Sequence, residues 1–169
     1  MPPRILTFVA GFTVALLTGC TTTKILPDTL IDASNPETIR TLVESEGYDA
    51  ELINDGSLPL ISVQSEHGPF WLYFDYCDDD GADCEVITFA TGIDLEDPNI
   101  SQHLFNDWNA DKFGAAYLDE EGDPHLSLSV NMLNGVSKLN FTDILHWWVL
   151  LMEDFAELVN PDLRKAIKA

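Results

Sequence analysis

The sequence predicts an α+β domain, a mainly antiparallel sheet with helices packed on it, in the order α-β-β-β-β-α-β-β-α. Three observations carry this. Three segments repeat apolar residues at helical spacing, two of them behind capping side chains. Six runs rich in Val, Ile, Thr, Leu and aromatic residues have the length and alternation of strands. Turn-forming residues separate neighbouring runs.

The first helix is expected over Pro36–Glu46. Ser34-Asn35-Pro36-Glu37 supplies a capping side chain, a proline at an early helical position and an acid at the positive end of the dipole. Ile39, Leu42 and Val43 then recur at helical spacing, and Gly47 is a natural stop. A strand over Tyr48–Ile53 leads to Asn54-Asp55-Gly56-Ser57, whose Asp-Gly pair favours a hairpin turn. Leu60–Ser65 is the next strand, and Glu66-His67-Gly68 turns the chain.

Phe70–Cys77 is aromatic throughout and belongs inside a sheet or against a helix. Strand alternation puts Phe70, Leu72, Phe74 and Tyr76 on one face and Trp71, Tyr73, Asp75 and Cys77 on the other. Asp78–Asp83 is a polar loop, and Glu85–Ile93 is a fourth strand. Asn99–Asp111 reads as a helix with Ile100, Leu104, Phe105 and Trp108 inward. Gly114–Glu120 and Pro124–Met132 form a hairpin about Glu121-Gly122-Asp123. In its second strand Leu126, Leu128, Val130 and Met132 alternate with polar residues. Thr142 can cap a last helix running to Val159, with a wide stripe around Ile144, Leu145, Trp148, Leu151, Met152 and Phe155, broadened by Trp147 and Leu150.

The chain has 169 residues, about the size of one domain. With 46% hydrophobic residues it can fill a core, which excludes global disorder despite a formal charge of −21. Against 29 Asp and Glu stand 8 Lys and Arg, and no basic stretch exists to replace nucleic-acid counterions. Nucleic acid is therefore excluded as a partner, and a basic protein partner is favoured.

Ahead of the domain, Arg4 precedes the mostly apolar run Ile5–Leu17. That run is shorter than the roughly 20 residues a bilayer span needs, and it matches a secretory signal. Leu17-Thr18-Gly19-Cys20 resembles the lipobox of bacterial lipoproteins. The resemblance implies cleavage before Cys20, a diacylglyceryl group on its sulfur and an acyl group on the new amine. Several chains anchor far more firmly than one. Thr21 stands where Asp would resemble an inner-membrane retention signal, so the expected address is the cell envelope, at the outer membrane facing the periplasm. Residues 1–19 are thus expected to be the signal peptide, 20–33 a lipidated tether with little pattern, 34–160 the domain and 161–169 a C-terminal tail.

Several stretches inside the domain are more specific than the order of elements. Gly47-Tyr48-Asp49-Ala50, Phe70-Trp71-Leu72-Tyr73-Phe74, Trp108-Asn109-Ala110-Asp111-Lys112-Phe113-Gly114, Ala116-Tyr117-Leu118-Asp119-Glu120 and Gly122-Asp123-Pro124 follow in that order, then an amphipathic helix around Trp147-Trp148. Together these resemble the YbjN-domain family of bacterial sensory transduction regulators over about Pro36 to Val159. The resemblance implies a fold similar to type III secretion chaperones, which bind protein and catalyse nothing, and it supplies no catalytic residue. Many relatives are cytoplasmic, whereas this chain carries an export signal. Chaperones of similar fold dimerise, so by analogy a homodimer is open.

Cys77 and Cys84 bracket a short loop between two expected strands, and strand-end partners lie within disulfide range. With Cys20 lipidated, the two remaining cysteines of an exported chain are expected to pair. The loop Asp78-Asp79-Asp80-Gly81-Ala82-Asp83-Cys84-Glu85 offers an alternative role. Asp78, Asp80, Asp83 and Glu85 are the oxygen donors a calcium ion would take. The stretch resembles the later part of the short extracellular "excalibur" calcium loop, but Tyr76 stands where a further Asp belongs. The competing reading is a solvated acidic hairpin tip, and no bound metal is expected. His67, His103, His125 and His146 are scattered outside any His-Glu-x-x-His spacing, and no Gly-x-Ser-x-Gly elbow or glycine-rich phosphate loop exists. The expected function is therefore non-enzymatic: binding of an envelope protein or peptide, with calcium or ligand sensing as the alternative. If the helices cover one sheet face only, the aromatic residues of the other become a binding surface.

Overall fold

The computed structural model describes residues 29–55, 58–95 and 100–160. The expected signal peptide, Cys20 and the C-terminal tail lie outside the described residues. The elements run β1 (Leu30–Ile31), α1 (Pro36–Ser45), β2 (Asp49–Ile53), β3 (Leu60–Ser65), β4 (Gly68–Asp75), β5 (Val86–Gly92), α2 (Gln102–Asp111), β6 (Ala115–Leu118), β7 (Pro124–Asn131), β8 (Val136–Ser137) and α3 (Lys138–Val159). Six strands form one antiparallel sheet in the order β2-β3-β4-β5-β7-β6, and β1 pairs with β8 in a separate two-stranded ladder. The fold is α+β, in the predicted order with two short strands added.

Register fixes two faces of opposite character. Ile61, Leu72, Phe89 and Leu128 stand opposite one another across four strands, and so do Phe74, Ile87 and Val130. The fully buried sheet residues Ile61, Val63, Phe70, Leu72, Phe74, Ile87, Phe89 and Leu126 all lie on this face. The buried residues of α1, α2 and α3 join them in a single core, so the three helices cover the same side. Trp148 of α3 sits at its centre, with ring centroids 6.1 Å from Phe70 and 5.7 Å from Phe89. Its indole Nε1–H is buried without an acceptor. The opposite face presents Trp71, Tyr73, Thr88, Tyr117 and His125 to solvent, with Tyr73 42% and Tyr117 46% exposed.

Local chemistry accounts for the helix ends. Asn35 caps α1 by accepting from the Thr38 N–H at 3.2 Å, and Ser101 caps α2 by accepting from the His103 N–H. The last helix starts earlier than its apolar stripe suggests. Ser137, not Thr142, is its cap, accepting from the Asn140 N–H at 3.1 Å, while the Thr142 hydroxyl donates to Glu46. The signal is a turn at Asn134-Gly135, both at positive φ (63° and 80°), with Ser137 two residues further on. Trp147 and Leu150 were expected in the buried stripe, but they are 51% and 60% exposed. A stripe that wide exceeds what one sheet face can cover.

The segment expected to be pure tether up to residue 33 contributes to the fold. Leu30 and Ile31 pair with Ser137 and Val136, the Lys138 N–H donates to the Thr29 carbonyl at 2.9 Å, and Ile31 and Ala33 are buried. Gly135 makes this possible, since a Cβ there would lie 3.2 Å from both the Ile31 carbonyl oxygen and Leu30 Cβ. Tyr76 also departs from expectation. β4 ends at Asp75, and Tyr76 takes a positive φ of 55° that turns its ring outward, 77% exposed.

Among the described residues no helix is long and apolar enough to cross a membrane.

Candidate functional site

The acidic loop turns on its own backbone. Asp78 Oδ1 accepts from the Asp80 N–H at 3.0 Å and the Ala82 N–H at 2.7 Å. The Asp78 N–H donates to the Ala82 carbonyl, and the Gly81 N–H to the Asp78 carbonyl. Asp79, Asp80, Asp83 and Glu85 are all exposed. Among the described residues no three His, Cys, Asp or Glu side chains gather as a metal would require. The alternative ligand set Asp78, Asp80, Asp83 and Glu85 is therefore not brought together.

At the base of this loop Cys77 and Cys84 are joined by a disulfide, with Cα atoms 3.8 Å apart. Both cysteines lie in the loop itself, beyond the ends of β4 and β5. The bridge closes a seven-residue separation, and the chain-entropy argument gives it roughly 2–2.5 kcal/mol. Cys77→Ser with Cys84→Ser is expected to lower the unfolding free energy by about that amount. Equal urea midpoints for the double variant and the parent chain would refute the assignment.

Each histidine meets one carboxylate on its own part of the surface: His67 with Glu66, His103 with Asp107, His125 with Asp119 and His146 with Glu46. His125 has the most structured setting. Its ring stacks on Tyr117 with centroids 5.5 Å apart, and it covers Gly92, where a Cβ would come within 2.6 Å of it. Trp71, Tyr73, Gly92, Asp94, Asp123 and His125 line a shallow depression of about 250 Å³ on the open sheet face.

Asp119 organises the turn beside it. Its Oδ1 accepts from the Asp123 and Glu121 N–H groups, each at 2.9 Å. The Asp123 bond, then the Glu121 bond and His125, hold its carboxyl below the usual 3.8. A folded-state value below the unfolded one contributes stability above about pH 3.8, which is lost as pH falls through the lowered value. Asp119→Asn is expected to flatten the melting-temperature profile in that acid range and to leave the slope at neutral pH unchanged. An unaltered acid limb would count against the turn's role.

Trp108 and Asn109, central to the most distinctive sequence stretch, act as a latch. Trp108 Nε1–H donates to the Gly114 carbonyl at 2.7 Å. Asn109 meets the Ala116 backbone twice, its Nδ2 donating to the carbonyl at 2.9 Å and its Oδ1 accepting the N–H at 2.8 Å. One side chain thus occupies the outer edge of β6 as a neighbouring strand would, and that edge is closed.

Beside the latch the sheet stays open. β6 pairs only with Pro124–Ser127 of β7, whereas β7 continues to Asn131. Past the end of β6, the half-buried Leu128 and Val130 face α3, where Ile144 and Trp147 stand opposite. Phe113, 52% exposed, packs on Trp147 with centroids 5.1 Å apart. With Ser129, Asn131 and Asp143 these side chains line a groove of about 460 Å³ whose surface is mostly apolar. Sequence alternation identified Leu128 and Val130 as inward-facing. It missed that β6 is too short to cover them and that Trp147 turns away from the core toward them.

The protein is thus an α+β domain with one helix-covered sheet face, one open face and an apolar groove where the sheet's last strand falls short. The chain belongs to the YbjN family, described as "Putative bacterial sensory transduction regulator", which matches residues 35–160. No curated protein matches the chain.

Proposed function

We propose that this protein is a non-enzymatic, lipid-anchored component of the cell envelope that binds a protein or peptide partner through the groove beside β7, in a chaperone-like or regulatory accessory role. The observation that carries the reading is the exposed Phe113–Trp147 pair over Leu128, Val130 and Ile144. Exposed aromatic residues in a concave apolar patch have the composition of a binding hot spot. The family description as a transduction regulator agrees with a binding role, and the histidines, each facing a single carboxylate, offer no nucleophile–base pair. The anchor rests on Leu17-Thr18-Gly19-Cys20 and the apolar run before it. Acylation at Cys20 would supply the anchor, and Thr21 in place of Asp supports an outer-membrane address facing the periplasm.

The test is capture of cross-linked partners from cell envelopes by the full-length protein, beside Cys20→Ala and Trp147→Asp. A stoichiometric partner lost from both variants supports the reading. The same partner held equally by Trp147→Asp places the binding surface elsewhere.

A further inference from the structure

We propose that the free edge of β7 at Ser129–Asn131 accepts an extended segment of the partner as an added strand, with alternate residues apolar and cationic. The proposal rests on the groove reading above and specifies its occupant.

Three observations support it. The first is the direction of the backbone groups. The Met132 N–H donates to the Glu85 carbonyl, and the Pro124 carbonyl accepts the Ile93 N–H. Even-numbered residues of β7 therefore point their N–H and C=O groups at β5, and odd-numbered ones point the other way. His125 and Ser127 stand opposite Tyr117 and Ala115 of β6. Ser129 and Asn131 lie past the end of β6 with their backbone groups directed outward, where an incoming strand finds them.

The second is the chemistry on either side of that edge. A strand laid there sends alternate side chains to opposite faces. On one face they enter the apolar groove over Leu128, Val130, Ile144 and Trp147. On the other they lie beside a hydrogen-bond chain crossing three strands. Thr88 Oγ1 donates to Asp75 Oδ2 at 2.7 Å and lies 2.9 Å from Ser129 Oγ. Thr88 has spent its only hydrogen on the carboxylate, so Ser129 is the donor in the second bond. That leaves Ser129 Oγ only lone pairs at the open edge, and a lysine or arginine supplies the donor they take.

The third is charge. A chain of net charge −21 repels a second copy of itself and attracts a basic segment. The opposite edge strand, β2, carries Asp49 and Glu51, whereas Ser129–Asn131 has no charge to deter pairing.

The probe is a fluorescein-labelled acetylated hexapeptide amide, KVKIKV, with EVEIEV and an alternately N-methylated KVKIKV as controls. Binding to the full-length protein is followed by anisotropy and by amide shifts at Ser129 and Asn131. The expected result is saturable binding of KVKIKV, weakened about tenfold or more in EVEIEV and in the N-methylated peptide. The gap to EVEIEV should narrow as salt is raised. Ser129→Pro, which removes an outward N–H and spares the bonds to β5, is expected to lose the same factor. If that variant fails to fold, the N-methylated peptide makes the same cut from the ligand side. Equal binding of the N-methylated peptide, or shifts confined to Trp147, would overturn strand addition and leave the groove as a side-chain pocket. A concentration-dependent dimer abolished by Ser129→Pro would overturn it in favour of a second copy. Loss of the groove reading itself has a separate signature, retention of the captured partner by Trp147→Asp.

Discussion

Trp148→Ala is expected to destabilise the domain by about 3–5 kcal/mol, the range for truncating a buried aromatic residue, while Trp147→Ala one position earlier is expected to cost less than about 1 kcal/mol. The two indoles differ by a helical step of about 100° and meet opposite environments. Trp148 is fully buried against Phe70 and Phe89, so truncation leaves a cavity bounded by strands that cannot close it. Trp147 touches Phe113 at the surface, and its removal should lose the partner and spare the fold. Trp148→Phe should be milder than alanine, since it keeps much of the volume and deletes an indole N–H that has no acceptor. Urea midpoints at constant m, read beside the capture experiment, decide the matter. Comparable destabilisation by the two alanine variants would contradict the assignment of faces.

The second large effect is expected at Asn109. Asn109→Ala removes two hydrogen bonds and strands the N–H and carbonyl of Ala116, a residue only 2% exposed. At about 1 kcal/mol per bond, plus the desolvation of buried groups left unpaired, the expected cost is about 2–4 kcal/mol. Asn109→Asp keeps the acceptor and turns a carboxylate oxygen on the Ala116 carbonyl, so it should be no better than alanine at neutral pH. Hydrogen exchange offers the sharper reading: Ala116 should lose protection in Asn109→Ala, whose amide acceptor is gone, while Phe89, deep in the sheet, keeps its own. A uniform loss across the sheet would mean that Asn109 holds the whole domain together and is no local latch.

The particular residues explain what the sequence made legible. Alternation and helical spacing are local, and they located all three helices and the six strands of the main sheet. The strands β1 and β8 are two residues each, shorter than any period, and their pairing depends on Gly135 permitting a close approach a hundred residues away. The groove was hidden for a different reason. It arises from a four-residue strand lying beside an eight-residue one, and neither run looks unusual by itself. Trp147 was misplaced because a helix apolar on most of its circumference does not announce which part meets the sheet. Conversely, Trp108-Asn109 stood out as a distinctive stretch before any role for it was visible. Its distinctiveness has a structural cause, a side chain completing a sheet edge.

The clasp between Leu30–Ile31 and Val136–Ser137 also determines how the molecule would bear a load. A pull on the chain ahead of Thr29 enters the fold at β1, crosses to β8 and passes directly into the root of α3, which carries Ile144 and Trp147 within its first three turns. Tension between the N-terminal end and anything seated in the groove is therefore met first at this clasp. The weakest link on that route is a ladder two residues long. It is the part that would yield first, while the six-stranded sheet stays intact.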